Sequence, residues 1–170
     1  IIKTLRAFGR NESEPVGKVD LAKVLEDAVE LTQTRLREGS VRLDWAPQPG
    51  GEIFVRGGEV RLTQVFVNLI NNAVDAMLDQ EDRVIRLQVH RGARLSVTVQ
   101  DIGPGLKEPE KVFDPFYSTK AVGSSEGMGL GLSISYGLVQ SFGGNIRGSN
   151  AERGAVFTVE LEYWKEEEAA

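Results

Sequence analysis

The sequence predicts a two-layer α/β (α+β) fold, in which about three helices cover one face of a mixed, mostly antiparallel sheet. Alternating apolar residues mark the strands, and apolar residues at three- and four-residue steps mark the helices. These patterns do not follow one another in strict β-α-β order, which argues against a purely parallel sheet. With 170 residues, of which 41% are hydrophobic, the chain is long enough for one compact domain with a hydrophobic core.

The first nineteen residues are expected to lie outside that domain. In IIKTLRAFGR, Ile1, Leu5 and Phe8 fall on one helical face, so residues 1–10 look like the end of a helix cut from something longer. A polar stretch with proline and glycine follows, and it predicts a linker over 11–19.

The predicted main domain covers 20–164, and an acidic tail at 165–170 ends the chain. Asp20 is a suitable N-cap for its first helix, whose buried side is predicted to contain Leu21, Val24, Leu25, Ala28, Leu31 and Leu36. The later elements, in order, are strands at 41–45 and 52–56, a helix at 58–79, a hairpin at 82–90 and 94–101, a helix at 130–142 and a hairpin at 145–150 and 155–164.

The composition excludes several classes of function. A net charge of −5 argues against a nucleic-acid-binding surface. The absence of cysteine excludes disulfides and thiolate metal sites. No apolar run approaches the roughly 20 residues that a membrane-spanning helix requires.

A second stripe follows one side of the long helix and consists of Gln64, Asn68, Asn71, Asn72 and Asp75. Asparagine is a mediocre helix former because its side chain competes for backbone hydrogen bonds. An ordinary solvated face would more often use Glu, Lys and Gln, so the stripe favours a functional role. The amide oxygen is a neutral, hard ligand that suits Mg²⁺ beside phosphates.

The stretch DIGPGL at 101–106 allows two interpretations. On its own, Asp101 is more typical of a residue that starts a turn through side-chain-to-backbone hydrogen bonds. Alternatively, an ionised carboxylate, which only accepts hydrogen bonds, suits the exocyclic amino group of adenine. Gly103 and Gly105 would then let the backbone approach a flat ring.

Two further stretches follow. In VFDPFYSTK at 112–120, Phe113 and Phe116 are expected in the core, whereas Lys120 could reach terminal phosphates as a point charge. In GSSEGMGLGLSIS, Leu132 replaces both the lysine of a P-loop and the third glycine of a dinucleotide fingerprint. This glycine-rich stretch therefore predicts, by itself, little more than a flexible entry into a helix.

Taken in order, the motifs resemble those of one family. An asparagine-rich helix, D-x-G-x-G, F-x-P-F and G-x-G-L-G-L are similar to the N, first-glycine, F and second-glycine boxes of sensor histidine kinases. These boxes form the catalytic ATP-binding domain of the GHKL superfamily, which includes gyrase B, MutL and the large heat-shock chaperones. The resemblance covers roughly residues 20–163 and is greatest to the nitrogen- and dicarboxylate-sensing subgroup.

The resemblance implies a Bergerat-type sandwich that uses ATP and Mg²⁺. It implies Asn72 as the metal ligand, catalytic roles for Asn68, Asn72 and Lys120, and Asp101 at the adenine. The nucleotide-binding residues that it implies are Asn68, Asn72, Asp75, Asp101, Ile102, Gly103, Gly105, Lys120, Gly127, Met128, Gly129, Leu130, Gly131 and Leu132.

One matching residue and two departures from the family pattern affect the function that the resemblance implies. Where the superfamily's ATPases usually have a Glu that activates water, the chain has Asn68, which cannot take a proton; transfer to a protein nucleophile is favoured. The single histidine, His90, falls at a strand end and is expected to be solvated, so the phospho-accepting histidine is missing. Ala155 stands where many relatives have a threonine beside the adenine, and Thr158 cannot be assumed to replace it.

The expected function is the transfer of the γ-phosphate of ATP to a histidine on a dimerisation domain outside this chain. The expected partners are that domain and a response regulator receiver domain, and the expected parent is a homodimeric, membrane-anchored sensor with this part in the cytoplasm. Two alternatives stay open: a GHKL-type ATPase, and a non-catalytic interaction module gated by nucleotide.

Overall fold

The computed structural model describes residues 15–45, 52–114 and 130–166. In these ranges the helices are α1 Leu21–Leu31, α2 Gln33–Glu38, α3 Glu59–Ala76 and α4 Leu130–Ser141. The strands are β1 Gly17–Asp20, β2 Arg42–Asp44, β3 Phe54–Gly57, β4 Val84–Arg91, β5 Leu95–Gln100, β6 Asn145–Asn150 and β7 Ala155–Leu161, and a short 3-10 turn covers Pro109–Lys111.

The main sheet has the strand order β2-β4-β5-β7-β6. The β2–β4 pair is parallel and the other three pairs are antiparallel, which confirms the predicted mixed, mostly antiparallel sheet. Helix α3 packs on β4 and β5 and lies between α1 and α4. The fold is therefore the predicted two-layer sandwich, with helices on one face of the sheet.

Apolar alternation decides which face of the sheet is covered. In β5 every second residue is buried, namely Leu95, Val97 and Val99, because these side chains point toward the helical layer. Asp101 continues the same alternation one step beyond the strand. Because side chains alternate between the two faces of a strand, the carboxylate of Asp101 lies on the same covered side of the sheet as Leu95, Val97 and Val99.

Helix α3 supplies the centre of the core. The apolar stripe that the three- and four-residue spacing predicted is buried at Leu62, Val65, Phe66, Leu69, Ala73 and Met77 and half-buried at Ala76. Ile70 and Val74, which were not predicted, are buried as well. The helix ends at Ala76 rather than at 79, since Met77 N already bonds to the carbonyl of Val74 at 3.1 Å instead of continuing the α-helical ladder.

The first predicted helix is interrupted. Asp20 caps α1 as predicted, because its Oδ1 accepts from Ala22 N at 3.1 Å. At Thr32 the hydroxyl donates back to the carbonyl of Ala28 at 2.9 Å, and a new helix, α2, begins after it. The prediction that Leu31 is buried is wrong: this side chain is 69% exposed, since it lies at the edge of the apolar stripe in the last turn of α1.

A small second sheet replaces the end of the predicted linker. Gly17–Asp20 pairs antiparallel with Phe54–Gly57, in a register that places Gly17 opposite Gly57. A four-residue strand with two polar residues carries little local signal, and only its distant partner reveals it. No helix in the described ranges is long and apolar enough to cross a lipid bilayer.

Candidate functional site

The side chain of Asp101 lies at the centre of the candidate site and is held by hydrogen bonds. It is only 2% exposed, and its Oδ1 accepts hydrogen bonds from Gly103 N at 2.8 Å and from Ala155 N at 3.2 Å. The backbone of Asp101 also donates to the carbonyl of Ala155 at 3.0 Å. The carboxylate is therefore held between the loop after β5 and the start of β7.

Both backbone hydrogen bonds go to the same oxygen of Asp101. Among the residues that the structure describes, no donor contacts Oδ2, which is left to accept a hydrogen bond from a bound group. Burial raises the pKa of Asp101 above its ordinary value of 3.8, and the hydrogen bonds from Gly103 and Ala155 oppose that rise. The two backbone donors thus offset part of the desolvation cost of the buried carboxylate, and its Oδ2 can still accept a hydrogen bond.

Three glycines allow the backbone to close around Asp101. A Cβ on Gly103 would lie 2.9 Å from the carbonyl oxygen of Ala76. Gly105 and Gly154 have positive φ, of 85° and 87°, a region that side-chain-bearing residues rarely adopt. A Cβ on Gly154 would lie 2.1 Å from the carbonyl oxygen of Asp101, so the approach of the last hairpin to Asp101 requires a glycine.

Two amide side chains hold the loop that follows Asp101. Asn150 accepts from Leu106 N at 2.6 Å and donates to the carbonyl of Leu106 at 2.9 Å. Gln80 Nε2 donates to the carbonyl of Ile102 at 2.9 Å, and the Ile102 side chain packs on the core. Sequence reasoning missed Gln80 and Asn150, because each acts on a loop that is distant in sequence.

On α3, the side chain of Asn68 reaches the start of α4. Its Nδ2 donates to Ser135 Oγ at 3.2 Å and lies 3.5 Å from the carbonyl oxygen of Gly131. Since a carbonyl can only accept, the amide nitrogen must be the atom that faces Gly131. The structure thus brings the asparagine stripe and the end of the glycine-rich stretch together, through a fully buried serine, Ser135, that the sequence analysis did not identify.

Asn72 lies one turn further along α3 and is half-buried. Among the described residues its amide has no hydrogen-bond partner, and the side-chain oxygen of its neighbour Asn71 is buried with none. No group of three or more His, Asp or Glu side chains in the described ranges forms a metal centre. These donors fit Mg²⁺, which can take one amide oxygen from a protein and complete its shell with water and phosphates.

Asp75 has a partner that the sequence did not predict. Its carboxylate forms an ion pair with Arg35 of α2, and the two side chains are 7% and 29% exposed respectively. The pair fastens α2 to the C-terminal half of α3. Nucleotide binding by Asp75 stays a prediction, and the ion pair gives this residue a role in packing.

The remaining predicted residues belong to the segment before α4 or to the first turn of α4. Lys120, Gly127, Met128 and Gly129 lie outside the described residues, as does Phe116. Helix α4 begins at Leu130, and the Leu132 side chain packs partly buried against the core.

His90 and Thr158 lie away from Asp101. His90 is an exposed residue of β4 whose Nε2 is 3.2 Å from Thr98 Oγ1, which confirms the prediction of a solvated strand residue. Thr158 pairs with Thr98 in the β5–β7 register, an odd number of residues from Ala155, so it points to the opposite face of the sheet. Thr158 therefore does not replace the missing threonine.

The chain matches the family described as "Histidine kinase-, DNA gyrase B-, and HSP90-like ATPase" over residues 57–165. The chain belongs to this ATPase family. The match runs from the end of β3 to beyond β7 and contains Asn68, Asn72 and Asp101, so the predicted resemblance is confirmed.

Relatives within this ATPase family are named as sensors. The chain is 34% identical over 166 residues to the C4-dicarboxylate transport sensor protein DctB of Rhizobium meliloti, covering 95% of this chain and 26% of DctB. It is also 34% identical to the two-component sensor PprA of Pseudomonas aeruginosa, with 95% of this chain and 18% of PprA covered. The chain thus spans 26% and 18% of the length of these two relatives.

A solved structure shows the same fold. The nucleotide-free catalytic domain of histidine kinase ThkA superposes with a TM-score of 0.74 at 27% identity, covering 87% of this chain and 95% of that domain. The chain therefore carries the ATPase-type catalytic domain found in sensor histidine kinases.

The contact between Gly154 and Asp101 yields a first prediction. Gly154→Ala places a methyl group against the carbonyl of Asp101 at a positive φ, and we expect it to lower the free energy of unfolding by at least roughly 1–3 kcal/mol. Chemical denaturation measures the change.

The matched control is Gly17→Ala, since nothing lies within 4 Å of a Cβ at Gly17. We expect this variant to remain within about 0.5 kcal/mol of the parent. Equal stabilities for the two variants would show that Gly154 does not need its left-handed backbone.

Proposed function

We propose that this chain binds Mg-ATP and donates its γ-phosphate to a histidine on a separate dimerisation domain, as the kinase core of a two-component sensor. The observation that supports the proposal most strongly is the hydrogen bonding of the Asp101 carboxylate. This buried carboxylate has one oxygen engaged by two backbone N–H groups and the other without a donor among the described residues.

A carboxylate in this state discriminates between purines. It can accept a hydrogen bond from the exocyclic amino group of adenine, but it would meet the carbonyl oxygen of guanine with two acceptors facing each other. Gly103 and Gly105 let the loop beside Asp101 pack closely, since a Cβ at these positions would lie 2.9 Å from the Ala76 carbonyl oxygen and 2.8 Å from Asn150 Oδ1 respectively. ATP is accordingly the nucleotide that we propose.

The phosphate end of the site lies where α3 meets α4. Asn72, with Asn68 beside it, would hold Mg²⁺, which neutralises phosphate charge when bound. The N–H groups in the first turn of a helix have no partner within the helix, so the start of the twelve-residue helix α4 favours an anion near Gly131. We assign Lys120 and the glycines Gly127 and Gly129 to the same phosphates, on the strength of their place in the family motif.

The residue type at position 68 favours transfer over hydrolysis. An amide cannot remove a proton from water, so Asn68 cannot serve as the general base of an ATPase. Its nitrogen is also engaged by Ser135. A protein nucleophile that attacks in line needs orientation and charge neutralisation of the triphosphate, and these are what the site residues supply.

The proposed phosphotransfer requires a histidine that accepts the phosphate. The only histidine, His90, is a strand residue away from Asp101, so the phosphate acceptor must come from another domain. We propose that residues 1–10 lead into that domain, that a response regulator receives the phosphate, and that the parent is a dimeric, membrane-anchored sensor with this domain in the cytoplasm.

Replacement of Asp101 tests the nucleotide assignment. Asp101→Asn places an amide at the adenine, and we expect ATP to bind more than tenfold more weakly, because a hydrogen bond to a charged group is worth roughly 1.5–3 kcal/mol. Isothermal titration calorimetry measures the affinity. Asp79→Asn, which changes an exposed carboxylate, is the control and should leave the affinity unchanged; an unchanged affinity in Asp101→Asn would remove Asp101 from the adenine pocket.

Phosphotransfer tests the reaction itself. The chain is joined to a histidine-bearing dimerisation domain and given labelled ATP, and we expect acid-labile phosphohistidine that Asn72→Asp reduces at least tenfold. Steady release of phosphate by the chain alone would instead identify an ATPase. ATP binding without either product would identify a nucleotide-gated interaction module.

A further inference from the structure

A groove of about 630 Å³ runs between α1 and α3 on the outer side of the helical layer. It is separate from Asp101 and from the Asn68–Ser135 contact. The residues that line it come from the last turns of α1 and the first half of α3, and are Asp27, Glu30, Leu31, Glu59, Val60, Thr63, Gln64 and Val67.

The walls of this α1–α3 groove carry large apolar side chains that remain in contact with water. Leu31 is 69% exposed and Val60 is 54% exposed, and Val67 is half-buried. Leu31 belongs to the apolar pattern of α1, yet no element in the described ranges covers it. Adjacent exposed apolar residues at the rim of a concave surface are typical of a site that another segment occupies.

The charged residues of the groove are all acidic. Glu59 already forms a salt bridge with Lys23 at 2.6 Å. Asp27 and Glu30 have no ion pair in the part of the chain that the structure describes. A segment that covers this groove should therefore combine an apolar face with positive charge.

The first ten residues of the chain have this combination. Ile1, Leu5 and Phe8 share one helical face, and the sequence IIKTLRAFGR contains three basic residues and no acidic one. A helix with these residues would match both the apolar walls and the carboxylates of Asp27 and Glu30, which form no ion pair within the described residues although Asp27 interacts with the charge of Lys23.

The first strand of the described structure, β1, begins near the groove. Gly17 pairs with Gly57, which is two residues before Glu59 on the groove wall. The six residues 11–16 can span up to roughly 20 Å when extended. The groove runs along α3 from Glu59 to Val67, a distance of about 12 Å, so residues 1–10 can reach it without strain.

We propose that residues 1–10 dock in the α1–α3 groove. Their apolar face covers Leu31, Val60 and Val67, and their basic side chains lie near Asp27 and Glu30. Because α3 also carries Asn68 and Asn72, the docked segment would contact the helix that bears the candidate metal ligands. This proposal does not depend on nucleotide binding or on phosphotransfer.

Disulfide trapping in the full chain tests the docking, since the natural sequence has no cysteine. The test variant carries Leu5→Cys and Val60→Cys. The control carries Leu5→Cys and Ala22→Cys, because Ala22 is exposed near the start of α1, and the helical period places it on the side opposite Leu31. Under a mild copper oxidant we expect the Val60 pair to form an intramolecular disulfide at least tenfold faster than the Ala22 pair.

Removing the acidic charges tests the electrostatic part. Adding Asp27→Asn and Glu30→Gln to the Val60 pair should slow trapping at least twofold, and less so in high salt. Equal rates for the Val60 and Ala22 pairs would overturn the proposal, as would disulfide-linked dimers, which would show that the groove binds a second copy. If Val60→Cys lowers the melting temperature, Thr63→Cys replaces it with the same expected result.

Discussion

The carboxylate of Asp101 accepts hydrogen bonds from Gly103 N and Ala155 N, and it thereby joins the end of β5, the loop that follows it and the start of β7. This arrangement is possible only because the backbone approaches closely on both sides, at Gly103 and at Gly154. A buried carboxylate without donors would be costly. With two donors on one oxygen it is tolerated, and its other oxygen has unused capacity for a ligand.

Helix α3 connects this carboxylate to the rest of the site. One side of the helix fills the core with residues such as Phe66 and Leu69, and that packing fixes its position over β4 and β5. The adjacent side carries Asn68, which contacts α4 through Ser135, and Asn72 one turn further on. Weak helix formers in mid-helix are sustained here because the apolar side supplies the stability. Thus the same packing that forms the core sets the distance between the candidate adenine and phosphate ends.

Periodicity in the sequence was enough to predict the two-layer sandwich, the buried stripe of α3 and the place of Asp101 beside a strand end. What it could not predict depends on contacts between distant residues. Gly17–Asp20 becomes a strand only through β3, and Asp75 finds Arg35 across the gap between α2 and α3. Gly154 has no local mark as a site residue, since its importance comes from the carbonyl of Asp101. Leu31 follows the apolar pattern of α1 but lies in the α1–α3 groove. We interpret this apolar position as part of a docking surface and not of the core.

We propose that the Asp101 oxygen that has no donor among the described residues accepts a hydrogen bond from the exocyclic amino group of adenine. Calorimetric titration of this chain with ATP and with inosine triphosphate, in which an oxygen replaces that amino group, tests it most directly. We expect inosine triphosphate to bind at least about tenfold more weakly, because two acceptors would then face each other. Equal affinities for the two nucleotides would contradict it.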